Sequence, residues 1–263
     1  DLPGLGDIPF QIEDDLLLLR LYQPGDITFS HVAVRRPSGE YSRQDPYRVT
    51  AYYPSSHTYR MEQADCTKWD RFAFDLSTHP NWGSQWFKSA RRFFLYGCSK
   101  QFSPWLYHQD PDPAYLDRVM DFVAALEAAL VPERDFVSRR LRERGARLLE
   151  GHAQHLGLEP KAVSQILNKF YSVRSAIAHG DVLRPQDLKT LDSQTLFENI
   201  VRTILATAVL QLPVKDEERK EFLRRLYDLS DKERGDDIIE KFKAIHDNDE
   251  RARVLRKIER TSL

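Results

Sequence analysis

Between residues 85 and 212 the apolar side chains recur at intervals of three and four, and prolines and glycines cut the pattern into five stretches. A chain with that period buries one stripe of each stretch as an amphipathic α-helix. The first stretch, residues 85–97, carries Trp86, Phe87, Ala90, Phe93 and Phe94 on one face. The second, residues 114–130, carries Leu116, Val119, Met120, Val123 and Leu130, and Pro132 ends it. A third spans residues 134–150. The fourth, residues 161–179, follows Pro160, which suits a first helical turn, and stops at Gly180, which suits the left-handed position past a last turn. The fifth, residues 187–212, runs through Leu188, Leu191, Leu196, Ile200, Ile204, Leu205 and Val209 to Pro213. The fold class expected is mainly α, a helical bundle over residues 84–213.

The flanks read differently. In residues 1–83 aromatic residues and prolines are dense. The apolar run Leu16 to Leu21, the turn residues Gln23 to Asp26 and the alternating Ile27 to Val34 predict a hairpin-like pair. Residues 47–53, bounded by Pro46 and Pro54, predict a further strand. This part is expected to be a smaller irregular α+β or β-rich N-terminal module. Residues 214–263 are mostly charged, with three sparse apolar sets around Phe222 to Leu229, Ile238 to Ile245 and Val254 to Ile258. These predict short C-terminal helices that dock on the bundle or on a partner.

Composition narrows the function classes. Hydrophobic residues make up 41% of the 263, enough for a core, and the formal net charge is −1. A nucleic-acid binder carries a basic footprint, so any such site here must be a local patch. Cys66 and Cys98 form neither a disulfide framework nor a metal-ligand spacing, as expected of reduced thiols in a cytoplasmic protein. No run of about 20 apolar residues is present to span a bilayer. Residues 1–6 lack a signal peptide's charged and apolar regions and begin without methionine, as in a trimmed chain. No acidic cluster has the look of a two-metal nuclease, and neither a cofactor nor a metal is expected.

Two charges interrupt the apolar stripes. Arg174 lies between Phe170 and Ile177 on the core side of the fourth helix, and Glu127 lies between Val123 and Leu130 in the second. An unpaired buried guanidinium costs several kcal/mol. The two either pair across the helices or extend to the edge of their stripes. His179 is rotated about 140° from Arg174 in an ideal helix, on the side of Asn168 and Ser172. One site using both residues needs the helix to end before His179, or a second copy of the domain. A further Arg-x4-His match, Arg147 to His152, is read as chance.

The sequence Tyr171-x2-Arg174-Ser175-x3-His179-Gly180, followed by Asp181, resembles the signature of Apea-like HEPN domains. The similarity covers residues 85–212 and takes in Ala125-Leu-Glu127-Ala-Ala-Leu130. Residues 18–26 are similar to the region that often precedes this domain. The resemblance implies an α-helical, metal-independent endoribonuclease acting on single-stranded RNA as a homodimer, in phage defence or a toxin system. It implies Arg174 and His179 as the catalytic pair, with Glu127, Tyr171, Ser175 and Asp181 in support. Ser175 stands where such ribonucleases often carry Asn, Asp or His. A protein partner or antitoxin would dock through the C-terminal helices; no membrane partner is expected. The chemistry fits the residue types: histidine moves protons near neutral pH, and arginine holds a phosphorane through paired N–H donors. A non-catalytic HEPN module that binds a protein or nucleotide, and a purely structural bundle, are the competing readings.

Overall fold

The computed structural model describes residues 8–23, 32–35, 41–44, 61–99, 113–133, 135–150 and 156–227. Its elements in chain order are α1 (Ile8–Tyr22), β1 (Val32–Arg35), β2 (Tyr41–Gln44), α2 (Gln63–Ser77), a 3-10 turn (Pro80–Gly83), α3 (Gln85–Ser99), α4 (Pro113–Leu130), α5 (Val137–Leu148), α6 (Pro160–His179), α7 (Pro185–Leu191) and α8 (Gln194–Gln211). A last described helix, α9, covers residues 216–227. The described residues are mainly helical. None of the described helices is long and apolar enough to cross a membrane.

The helices touch through the stripes that the period picks out. α4 lies against α3, α5, α6 and α8. At the α3–α4 crossing Phe94 and Phe122 meet with ring centres 5.7 Å apart. Gly97 makes that approach possible, since a Cβ there would sit 2.7 Å from the Phe122 ring. Gly145 plays the same part where α5 meets α6, with Leu167 Cδ1 at 2.7 Å from a Cβ so placed. Phe170 of α6 and Phe197 of α8 stack with centres 3.9 Å apart and both rings buried. Each ring contributes about 1.5–3 kcal/mol by leaving water.

The N-terminal expectation needs correction. Leu16 to Leu21 is not one arm of a hairpin; it belongs to α1, with Leu17, Leu18 and Leu21 buried at helical spacing. Leucine favours helix, and the run lacks the β-branched residues that favour a strand. Of the strand expected over residues 27–34, residues 32–34 fall in β1 and 27–31 lie outside the described residues; β2 is the antiparallel partner of β1, in register from Val32 opposite Gln44 to Arg35 opposite Tyr41. The strand expected at residues 47–53 lies outside the described residues. Leu17, Leu21 and Leu76 share one core with Phe122, Phe170 and Val209, so packing runs across the point where the composition changes.

Two expected helices are also revised. The helix expected over 134–150 begins only at Val137, after Phe136 in a left-handed conformation at φ 50°. The helix expected over 187–212 is two helices, broken at Asp192 and Ser193. Both residues offer the backbone side-chain partners and so favour turns over helix interiors. The apolar spacing already slips there, from Leu191 to Leu196.

Three buried polar side chains close helix C-termini, whose last carbonyls lack partners within the helix. Asn81 Nδ2 donates to the Val209 and Leu212 carbonyls, at 3.0 and 2.6 Å, at the end of α8. Arg144 of α5 donates to the Leu130 carbonyl at the end of α4 and to the Leu223 carbonyl of α9, both at 2.8 Å. It also holds the Glu133 carboxylate through both oxygens, at 2.7 and 2.8 Å. Burial pushes that carboxyl up, but the Arg144 bonds and charge, with Arg140's charge, together hold it below its ordinary value. Arg219 of α9 donates to the Ala129 carbonyl at 3.0 Å and lies over the Trp86 ring. With Leu223 buried, α9 is docked on the bundle, as one of the alternatives for the C-terminal helices has it. The sets around Ile238 to Ile245 and Val254 to Ile258 lie outside the described residues.

Candidate functional site

α6 and α4 bring the two stripe-interrupting charges together. Arg174 Nη2 lies 3.5 Å from Glu127 Oε2. That is long for a charge-assisted hydrogen bond, for which about 2.7–2.9 Å is usual. The side chains keep 28% and 24% exposure, so the pair sits at the edge of the α4–α6 seam and is not fully buried. Burial pushes the Glu127 carboxyl above its ordinary value, and Arg174 reverses only part of the shift. Arg174 Nε is buried with no hydrogen-bond partner among the described residues.

Tyr171 lies one turn before Arg174, with the guanidinium carbon 5.9 Å from its ring centre. Burial raises the Tyr171 hydroxyl pKa, the Glu127 charge raises it further, and Arg174 opposes both. Glu127, Tyr171 and Arg174 therefore form one electrostatic cluster. Ser175 is half-buried beside Arg174 and rotated toward the His179 side of the helix.

His179 is the last residue of α6, and its side chain is exposed. The helix does not stop before it. Gly180, at φ 70°, follows in the left-handed region. The Gly180 N–H donates to the Ile177 carbonyl at 3.1 Å and the Asp181 N–H to the Ala176 carbonyl at 2.9 Å, the double bond of a Schellman ending. Asp181 serves here through its backbone, and its side chain is exposed. With α6 regular to His179, Arg174 and His179 stay about 140° apart around the axis. Of the two ways to unite them within one site, only a second copy is left. The Arg147 guanidinium of the other Arg-x4-His match bonds to Glu150 at 3.2 Å, and its histidine lies outside the described residues.

The histidine side of α6 carries a feature with no counterpart in the sequence pattern. A cavity of about 530 Å³ opens between α6 and α7, with Asn168, Lys169 and Ser172 on one wall and Arg184, Lys189 and Thr190 on the other. Arg142 of α5 reaches its edge and donates to Asn168 Oδ1 at 3.0 Å. Only the turn after His179, which folds α7 back on α6, brings Lys189 to Lys169, and no periodicity reveals such a juxtaposition. No family model, curated protein or solved structure matches this chain.

Proposed function

We propose that the protein is a metal-independent endoribonuclease of HEPN type, cleaving single-stranded RNA as a homodimer in a defence or toxin setting. The observation that carries the reading is the state of Arg174. It is a guanidinium at the edge of a helix seam, 28% exposed and steadied by one long contact to Glu127. Such a group is positioned yet has donors to spare for a phosphate. His179 stands exposed at a rigidly ended helix, free to move a proton between the 2′-oxygen and the 5′-oxygen. Two copies related by a two-fold axis would bring the arginine face of one α6 to the histidine face of the other. The products would be a 2′,3′-cyclic phosphate and a 5′-hydroxyl.

The test is cleavage of a single-stranded RNA by the purified protein in EDTA. Wild type should cleave, and His179→Ala should not while keeping its helical signal and oligomeric state. Equal cleavage by both, or loss of cleavage with EDTA, refutes the mechanism. One observation favours the competing binding-module reading: Glu127 already occupies part of the Arg174 donor set. On that reading wild type binds a protein or a nucleotide and does not cleave RNA.

A further inference from the structure

We infer that the cavity between α6 and α7 is a phosphate-binding subsite for a single strand of RNA passing along the histidine face of α6. The argument starts from which groups around the cavity already have partners. Asp187, the one acid in its lining, is bonded to Arg184 through both oxygens, with Arg184 Nε at 2.8 Å and Nη2 at 3.2 Å. That hydrogen bonding holds the Asp187 carboxyl below its ordinary value, so it stays a carboxylate with its charge answered. Asn168 Oδ1 is occupied by Arg142, which leaves the Asn168 amide N–H groups as donors. The ammonium groups of Lys169 and Lys189 have no acidic partner among the described residues.

A hollow of mixed apolar and polar lining, with two unanswered cations and spare amide donors at its walls, suits an anion with several acceptor oxygens. Lysine serves phosphate as a point charge and does not need the bidentate geometry of arginine. The volume of about 530 Å³ lies within the ordinary range for ligand sites. One further cation stands at the mouth, Arg142 of α5, which donates to Asn168 and is partly answered by Glu143. In a chain of net charge −1, Lys169, Lys189 and Arg142 make a small local group of cations, and a nucleic-acid site needs such a local basic feature.

The carrier of the phosphate follows from α6. His179 comes seven residues after Ser172, about two turns, so both lie on one face some ~10 Å apart along the axis. A strand whose scissile phosphate reaches His179 would run its neighbouring phosphates over the cavity. The choice of RNA as carrier rests on the ribonuclease reading; the anion site does not.

The test uses a fluorescent single-stranded RNA carrying 2′-O-methyl groups throughout, which cannot be cleaved, with binding followed by anisotropy over a salt series. Lys169→Glu/Lys189→Glu should bind at least about tenfold more weakly. The slope of log affinity against log salt should shrink by about 0.7 for each phosphate that is no longer neutralised. Lys161→Glu, the same reversal at one exposed residue of the same helix outside the cavity, should change little. The milder Lys169→Gln/Lys189→Gln pair guards against misfolding of the reversal. Unchanged binding by both cavity variants, or an equal loss in Lys161→Glu, overturns the proposal. Dependence on the two lysines that persists in His179→Ala supports the subsite even where no cleavage is seen. If wild type does not bind the oligonucleotide, RNA is overturned as carrier. Phosphorus-31 line broadening of inorganic phosphate then decides the anion site: broadening that disappears in the glutamine pair supports it, and no broadening by wild type overturns it.

Discussion

Replacing Glu127 with glutamine keeps the side-chain shape and deletes the charge, which isolates what its pairing with Arg174 contributes. At 3.5 Å and an effective dielectric constant of about 20, the gross attraction is about 4–5 kcal/mol. Against it stands desolvation, several kcal/mol for each ion taken from water. The structure decides which is larger: the Glu127 carboxyl is pushed up, burial is the largest cause, and Arg174 only partly offsets it. The ionised pair should therefore add little net stability, and Glu127→Gln should shift stability by less than about 1 kcal/mol at neutral pH. The sign with pH follows from linkage. The folded state holds the Glu127 proton more tightly than the unfolded state does. The Glu127 contribution is therefore present below the ordinary glutamate value and lost as pH rises through the raised folded value. Urea unfolding of wild type and Glu127→Gln across that window gives the difference curve, in which wild type should lose stability relative to the variant as pH rises. A loss above about 3 kcal/mol in Glu127→Gln at neutral pH would show that attraction wins and would refute this reasoning.

Two other predictions concern the helix ends. Arg144→Met removes the partner of two buried carbonyls and of Glu133, and should cost about 3–5 kcal/mol in chemical denaturation; a loss below about 1 kcal/mol would mean that water satisfies those carbonyls. Gly180→Ala forces a side chain into the left-handed region at φ 70°, and should lower stability by about 1 kcal/mol in thermal melts; an unchanged melt would show that the turn relaxes freely.

Some of this is legible in the residue pattern. The extent of α4 and α6 can be read because each has a clean apolar stripe and a strong stop, Pro132 in one case and Gly180 in the other. The meeting of Glu127 and Arg174 can be read because a charge inside a core stripe asks for its opposite. α1 is harder, because four consecutive leucines carry no period of their own, and their preference for helix shows as an element only once packed against α2, α3 and α8. The capping roles of Asn81, Arg144 and Arg219 leave no trace in the pattern. Each depends on a carbonyl far along the chain, between 14 and 131 residues away. The α6–α7 cavity belongs to the same class, since a two-turn helix has to fold back before its lysine can face another.

The capping of α4 also bears on how the chain is made. The Ala129 carbonyl is answered by Arg219, 90 residues later in the chain. Synthesis proceeds at about 5–20 residues per second, so roughly 5–20 seconds pass between the two. During that interval α3, α4, α5 and α6 can associate and Arg144 can reach the Leu130 carbonyl, but the Ala129 carbonyl lacks its side-chain partner. A nascent chain halted before residue 219 would hold most of its core with one carbonyl of its central helix unanswered. The last contact that closes α4 is therefore also among the last to be synthesised.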